Sequence, residues 1–417
     1  MRFLDLFAGA GGLSEGFVRE GFTPVAHVEL WEAACYTLKT REAFHYLDQH
    51  GKRDIYAQYL KGEISREKLY SYVPKKILDS VICEEIGEKT LPKIFDQVDS
   101  LNGSEGIDLI LGGPPCQAYS LVGRARDPNG MQGDKRNYLF LYYAKFLEKY
   151  RPKYFVFENV LGLLSAKDES GKLYFDLLRE NFKRIGYKTE FRVLSADDYG
   201  ILQKRKRIIL IGKRSDQGFK YPEPETVQHS FTVKAAFSGL PSLQAGEGNV
   251  HKCKVLNHHS RWLDEAHIST DLPITFHCAR PNCERDLNIY RRAVALWNRS
   301  QQRLSYDQLP ENLKTHANQT TFLDRYKVVA ADEKASQTVV AHIAKDGHYY
   351  IHPDINQNRS ITPREAARLQ TFPDDYYFES ASGKPSRTDA FKQIGNAVPV
   401  LLAQKIANRL KDTWDET

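Results

Sequence analysis

Cys116 stands in Gly-Gly-Pro-Pro-Cys-Gln-Ala-Tyr-Ser, residues 112–120, directly after the apolar run Ile107–Leu111. Two glycines and two prolines ahead of one thiol make a stiff loop at the mouth of a strand. A buried structural cysteine needs no such frame, whereas a nucleophile held at a fixed angle to a substrate does. Glu158, in Phe-Glu-Asn-Val, closes a second apolar run with a carboxylate. In a partly dry site such a group can hold or deliver a proton near neutral pH; taken singly, it also reads as a capping or salt-bridged surface glutamate. Gln203, Arg205 and Arg207 alternate within Gln-Lys-Arg-Lys-Arg. Period two turns all three to one face, which suits gripping phosphates or a carbonyl oxygen.

A second group of residues could cradle a ligand. The stretch Asp5–Phe17 (DLFAGAGGLSEGF) reads as a strand, a glycine-rich turn and a helix start, and Gly9, Gly11 and Gly12 let the backbone approach a bound molecule. Many dinucleotide folds share that pattern. Glu29 follows the next strand at the spacing where a carboxylate holds a ribose hydroxyl pair. Glu85, in VICEEIGE, follows another strand candidate, where an adenine amino group could be read. QIGNAVPV (393–400) sets Asn396 behind a glycine in the final helical region.

These residues need a scaffold, and the first half of the chain supplies one. Short apolar runs (Phe3–Phe7, Thr23–Val28, Ile107–Leu111, Tyr154–Phe157, Ile208–Ile211) alternate with helical patterns such as Leu139–Lys149 and Tyr174–Ile185. Alternating strand and helix implies an α/β fold with a doubly wound, mostly parallel Rossmann-like sheet, binding ligands at the carboxyl ends of its strands. Residues 39–79, charged and tyrosine-rich, read as a surface insertion. Residues 213–358 carry scattered Pro, His, Asn and Arg without a long periodic element, which implies a smaller, irregular second domain. TPREAARLQTF then opens a helix at Thr362, with Pro at the first helical position and Glu in the first turn.

Bulk properties narrow the class. The 417 residues are 41% hydrophobic, enough for a sizeable core. A net charge of +6 favours a polyanionic partner, although QKRKR and the looser series Arg280, Arg285, Arg291, Arg292, Arg299 and Arg303 also read as solvated faces. No apolar stretch approaches a membrane span and no signal-peptide layout appears, so a cytoplasmic protein with six reduced cysteines is expected. Cys253, Cys278 and Cys283 with their neighbouring histidines fit no common zinc spacing, so no metal is expected.

Taken in order, DLFAGAGG, GGPPCQ, ENV, QKRKR, TPREAARLQTFPD and QIGNAVP resemble the C5 DNA-cytosine methyltransferases, from Phe3 to about Leu402. The resemblance implies methyl transfer from S-adenosylmethionine to carbon 5 of a cytosine flipped out of a specific duplex sequence, as in the modification enzyme of a prokaryotic or phage restriction-modification system. Cys116 matches the family nucleophile that attacks carbon 6. Glu158 matches the group that handles the proton at ring nitrogen 3, Arg207 a grip on the cytosine carbonyl, and Arg205 a supporting neighbour. Phe7, Gly9, Gly11, Gly12, Leu13, Glu29, Leu30, Pro114, Leu139 and Asn396 match cofactor-lining positions. Glu85 stands where the family has Asp before Ile. Gln117, Ser120, Arg124, Arg136 and Gln203 are the implied DNA contacts, and 118–137 resembles the loop that closes over DNA.

The implied organisation is a catalytic domain at 1–214, a target-recognition domain with the return helix at 215–376, and a closing segment at 377–417. Within it, 213–325 would set the recognised sequence. The resemblance implies a monomer associated with the nucleoid and a possible cognate restriction endonuclease. An RNA-methylating relative shares this catalytic fold but has little recognition domain, whereas about 110 residues separate ILIG from Phe322 here; intact Cys116, Glu158 and Arg207 argue against a catalytically dead relative, and a dinucleotide oxidoreductase explains only the glycine loop.

Overall fold

The computed structural model describes residues 1–115, 138–215, 219–251, 260–316 and 318–415. Its centre is a seven-stranded sheet in the order β3-β2-β1-β4-β5-β7-β6. The strands are β1 (Arg2–Leu6), β2 (Thr23–Glu29), β3 (Val81–Cys83), β4 (Leu109–Gly112), β5 (Tyr154–Asn159), β6 (Tyr187–Ser195) and β7 (Lys206–Arg214). The first five run parallel, and β7 is antiparallel to both β5 and β6. β1 and β4 lie side by side although β2 and β3 intervene in sequence, which makes the switch point where α/β folds bind ligands.

The strands are apolar on both sides because both faces are covered. Phe3, Leu109, Leu111, Val156, Ile209 and Ile211 face one core, and Leu4, Leu6, Ile110, Phe155, Phe157, Ile208 and Leu210 the other. On the first face lie α1 (Gly12–Arg19), α2 (Glu32–Gln49), α3 (Arg53–Leu60), α4 (Arg66–Tyr70) and α5 (Lys75–Asp79). The second face is covered by α6 (Leu91–Asn102), α7 (Leu139–Tyr150) and α8 (Tyr174–Arg184). The edge strand β6 is largely half-exposed, so it carries no apolar run and the sequence pattern misses it.

The surface-insertion reading of 39–79 is corrected. Arg41 is buried and bonds Glu15 of α1 at 2.5 and 2.9 Å and Asp375 at 2.9 Å. Tyr56 donates to the Asp375 carbonyl at 2.9 Å, and Thr40, Tyr59 and Arg66 all bond the buried carboxylate of Glu379. The segment thus locks α1 to the C-terminal part of the chain through groups that have left water.

Residues 213–358 do contain a long periodic element, a second correction. Helix α9 (Glu284–Ser300) buries Ile289, Tyr290, Ala293, Val294 and Trp297. The first four of these form a satellite core with Tyr306, Leu309, Leu313, Tyr326 and Ile351. Other residues between 215 and 376, among them Tyr221, Trp262, Phe276, Val339 and Phe372, share the core of the sheet. The helix expected at Thr362 is α10 (Pro363–Leu369), whose Thr362 and Glu365 form a reciprocal capping box. Two helices end the chain, α11 (Arg387–Asn396) and α12 (Val400–Asp412).

Candidate active site

At the carboxyl end of β1 the chain turns through two left-handed residues, Phe7 at φ 57° and Gly9 at φ 56°, before Gly11 at φ 78° opens α1. Gly12 follows, and a Cβ there would lie 2.4 Å from the Val398 carbonyl, so the close approach of α1 to the C-terminal segment requires glycine. Gly9 differs: an added Cβ would meet nothing within 4 Å, which leaves open space above the loop. The Tyr376 hydroxyl donates to the Ala10 carbonyl at 2.6 Å and pins the loop from beneath. Leu13, expected to line the cofactor, is buried in the core.

Glu29, the last residue of β2, closes this cradle. Its carboxylate accepts from the Gly9 N–H at 2.8 Å and the Trp31 N–H at 2.7 Å. Burial pushes its carboxyl up, partly offset by those donated hydrogen bonds. Leu30 beside it is 62% exposed. Glu85 lies beyond β3 with an exposed side chain, and its carbonyl accepts from Thr90. Below the cradle His27 sits between Asp5 (3.5 Å) and Glu42 (3.2 Å). Burial opposes its charge, but hydrogen bonds to the two carboxylates prevail and push the imidazolium up to about 9.

The second half of the site lies across the switch point. Because β7 is antiparallel to β5, Arg207 near the start of β7 meets Glu158 near the end of β5, with Nε 2.7 Å from Oε1. A Cβ on Gly113 would sit 2.7 Å from Glu158 Oε2, so the second glycine of GGPPC leaves room for this carboxylate. Asn159, fully buried, donates to the Pro114 carbonyl at 3.2 Å and accepts from the Val160 N–H at 2.9 Å. It thereby fixes the backbone two residues ahead of Cys116. Cys116, Gln117, Ser120, Arg124 and Arg136 themselves, with the whole 116–137 stretch, lie outside the described residues.

Two of the arginine-loop expectations change. Gln203 is fully buried and spent: its amide nitrogen donates to the Leu369 carbonyl (2.9 Å) and to Gln370 (3.0 Å), and its oxygen accepts from the Val339 N–H (2.8 Å). No surface remains for DNA. Arg205 is also fully buried, donating to the carbonyls of Val339 (2.7 Å), Gly395 (3.2 Å) and Asn396 (3.5 Å). It holds the end of α11 against the sheet, a positioning role. The two share the inward face with Arg207 as period two implies, but that face is core until Arg207 reaches the cleft. Asn396 ends α11 with its side chain exposed, Pro114 is buried, and Leu139 begins α7 partly buried.

Sequence reasoning did not single out Asn159, which the ENV motif contains, nor Tyr376. Tyr376 had no local signal, since its partner Ala10 lies 366 residues away.

Comparison with known proteins agrees with this geometry. The model of the C-5 cytosine-specific DNA methylase family matches residues 1–69 and 75–412. The chain is 40% identical to the type II methyltransferase M.Bpa9945I of Bacillus paralicheniformis over 99% of both chains. It is 30% identical to the type II methyltransferase M.DdeI of Desulfomicrobium norvegicum, covering 98% of this chain and 88% of the relative. Among solved structures, a prophage-encoded E. coli protein described as a DNA modification methyltransferase superposes with TM-score 0.62 at 21% identity, covering 100% of both chains. The methyltransferase EhMeth of Entamoeba histolytica gives 0.54 at 15% identity, with 100% and 99% covered. At those identities the structures speak for the fold, while the family match and the sequence relatives carry the chemistry. With Glu158 and Arg207 meeting beside Gly113 and Asn159 holding Pro114, the chain belongs to the C-5 cytosine-specific DNA methylases, enzymes that methylate cytosine in DNA.

Proposed function

We propose that the chain transfers the methyl group of S-adenosylmethionine to carbon 5 of a cytosine extruded from a specific duplex sequence, through an adduct on Cys116. The observation that carries this reading is the meeting of Glu158 and Arg207 at 2.7 Å at the sheet end from which the Asn159-pinned GGPPC loop departs. The cradle fits the cofactor: backbone N–H groups, those of Gly9 and Trp31 among them, fix the Glu29 carboxylate at the loop, Gly9 faces open space, and exposed Leu30 offers an apolar surface to adenine. Bound S-adenosylmethionine supplies the methyl group.

The chain's own residues do the rest. A base stacked in a duplex cannot present carbon 6 to a thiol, so it must leave the helix. Glu158 shares a proton with ring nitrogen 3, which draws electrons from the ring and opens carbon 6 to the Cys116 thiolate. Arg207 keeps the Glu158 carboxylate aimed and has further N–H groups for the cytosine carbonyl. Sulfur attack turns carbon 5 into an enamine that takes the methyl group; loss of the carbon 5 proton to a base then expels the thiolate. Residues 213–325 select the sequence, and Arg124 and Arg136 grip phosphates.

The type II names of the relatives favour a modification enzyme paired with a restriction endonuclease; a monomer acting on nucleoid DNA in the cytoplasm is part of the same proposal. No helix among the described residues is long and apolar enough to cross a membrane. Bisulfite sequencing of DNA from cells expressing the protein tests the reading: one recurrent sequence should be protected, and none should be with Cys116→Ala. Protection that persists in that variant overturns it.

A further inference from the structure

Two of the four described cysteines meet at the cofactor cradle. Parallel pairing of β2 with β3 sets Cys83 beside Glu29. Cys35 lies in the first turn of α2, its N–H bonded to the Trp31 carbonyl at 3.0 Å. The Cys35 thiol donates to the Glu29 carbonyl at 3.3 Å, and the Cys83 thiol donates to the Leu30 carbonyl at 4.0 Å. The two side chains are also within hydrogen-bond reach of one another. Thiols from separate elements thus converge on consecutive residues, the pair that offers a carboxylate and an exposed apolar side chain to the cradle.

Their surroundings differ. Cys35 is 2% exposed and packs with Ala8, Leu38 and Val81 in a small apolar cluster. That cluster supports the glycine turn: the Ala8 carbonyl accepts from the Gly11 N–H at 3.0 Å, and a Cβ on Gly11 would lie 2.8 Å from Leu38 Cδ2. Burial, and then Cys83 beside it, push the Cys35 thiol far above its usual range, so it is unreactive by itself. Cys83 is exposed. An oxidant in solution therefore reaches Cys83 first and finds Cys35 next to it. Neither thiol has a part in the methyl transfer.

We propose that Cys35 and Cys83 are a redox-sensitive pair whose disulfide weakens binding at the cradle. The inference rests on the cofactor reading above. With hydrogen peroxide as oxidant, the Cys83 thiolate attacks one peroxide oxygen and the O–O bond breaks. Sulfur keeps a hydroxyl as sulfenic acid, and the departing hydroxide takes up the thiol proton as water. Cys35 sulfur then attacks Cys83 sulfur; the S–O bond breaks, and hydroxide leaves with the Cys35 proton as a second water. The two thiols lose two electrons and the peroxide gains them. A dithiol reverses the bond by exchange.

The bond reaches the cradle through geometry. A disulfide holds its sulfurs about 2.05 Å apart, closer than hydrogen-bonded thiols. Cys35 then has no proton to donate to the Glu29 carbonyl. Closing the gap draws the start of α2 toward the end of β3, and Glu29 and Leu30, bonded to both, shift with them.

The test uses the full chain carrying Cys116→Ser, so that oxidation of the nucleophile adds nothing to the readout. The protein is treated with hydrogen peroxide and then catalase. Its peptides are mapped with and without dithiothreitol, while calorimetry measures S-adenosylmethionine affinity. Peptides containing Cys35 and Cys83 should be joined, and affinity should fall roughly tenfold, the scale of one lost hydrogen bond. Dithiothreitol should restore it. Adding Cys83→Ala should leave the affinity of the reduced parent in place and keep it through peroxide. Separate Cys35 and Cys83 peptides after oxidation, an unchanged affinity in the joined form, or an equal fall with Cys83→Ala overturns the switch while leaving the cofactor reading standing. A reduced chain that does not bind S-adenosylmethionine overturns the switch together with the reading on which it rests.

Discussion

Replacing Arg41 with methionine tests whether 39–79 belongs to the core. Methionine keeps most of the stem and removes the guanidinium, which bonds Glu15 at 2.5 and 2.9 Å and Asp375 at 2.9 Å. The carboxylate side chains are only 3% and 5% exposed, so water cannot replace the lost partner. Burial alone would raise the Glu15 carboxyl, yet Arg41 and then His45 hold it well below the usual range. Breaking a buried pair from one side costs about 3–5 kcal/mol. The lower figure applies here, about 3 kcal/mol, because Glu15 keeps His45 at 3.0 Å and Asp375 keeps Thr270 at 3.3 Å. Urea unfolding followed by circular dichroism reads the loss directly. Lys75→Met, in the same stretch but with an 86% exposed side chain paired to Asp79, should change stability by no more than about 0.5 kcal/mol. Adding Glu15→Gln to Arg41→Met should cost at least about 1 kcal/mol less than the two singles summed, since the orphaned charge is gone. If Arg41→Met is as silent as Lys75→Met, the segment is a surface insertion after all.

Two further outcomes follow from the cradle. Glu29→Ala should weaken S-adenosylmethionine binding by about 2 kcal/mol, the scale of hydrogen bonds to a charged group, as read by calorimetry; unchanged affinity removes Glu29 from the site. His27, raised from 6.5 to about 9, contributes stability that is fully present below pH 6.5 and lost as pH rises through about 9. The gap in unfolding free energy between wild type and His27→Gln should therefore shrink by roughly 3 kcal/mol across that window, and a constant gap would mean that His27 is not charged in the fold.

The legible parts of this molecule are those whose signal is local. The glycine turn, Glu29 at the end of the next strand, and the Thr362–Glu365 capping box each lie within a few residues or one strand–helix unit, and each forms as the pattern implies. The period-two face of Gln203, Arg205 and Arg207 was also readable, but not that two of its members would be buried. Their partners, Val339, Leu369 and Gly395, lie more than 130 residues away. Helix α9 escaped for a different reason. It starts at Cys283 without a side-chain cap and ends on left-handed Gln301 where glycine would have marked a stop, while its outer arginines disguise the apolar stripe as a charge series. The 39–79 stretch looked external because its charges do; their partners, Asp375 and Glu379, are over 300 residues distant.

The central claim is covalent catalysis by Cys116, and trapping measures it most directly. In DNA whose target cytosine carries fluorine at carbon 5, thiolate attack and methyl transfer can proceed. Release cannot, because fluorine does not leave as a cation. With S-adenosylmethionine present, labelled DNA should run on a denaturing gel as a shifted protein–DNA band. Glu158→Gln should form it more slowly, since an amide can hydrogen-bond ring nitrogen 3 without donating a full proton. Cys116→Ser should abolish it while leaving cofactor binding intact, because a hydroxyl ionises far less readily than a thiol. A shifted band that persists in Cys116→Ser would contradict the mechanism.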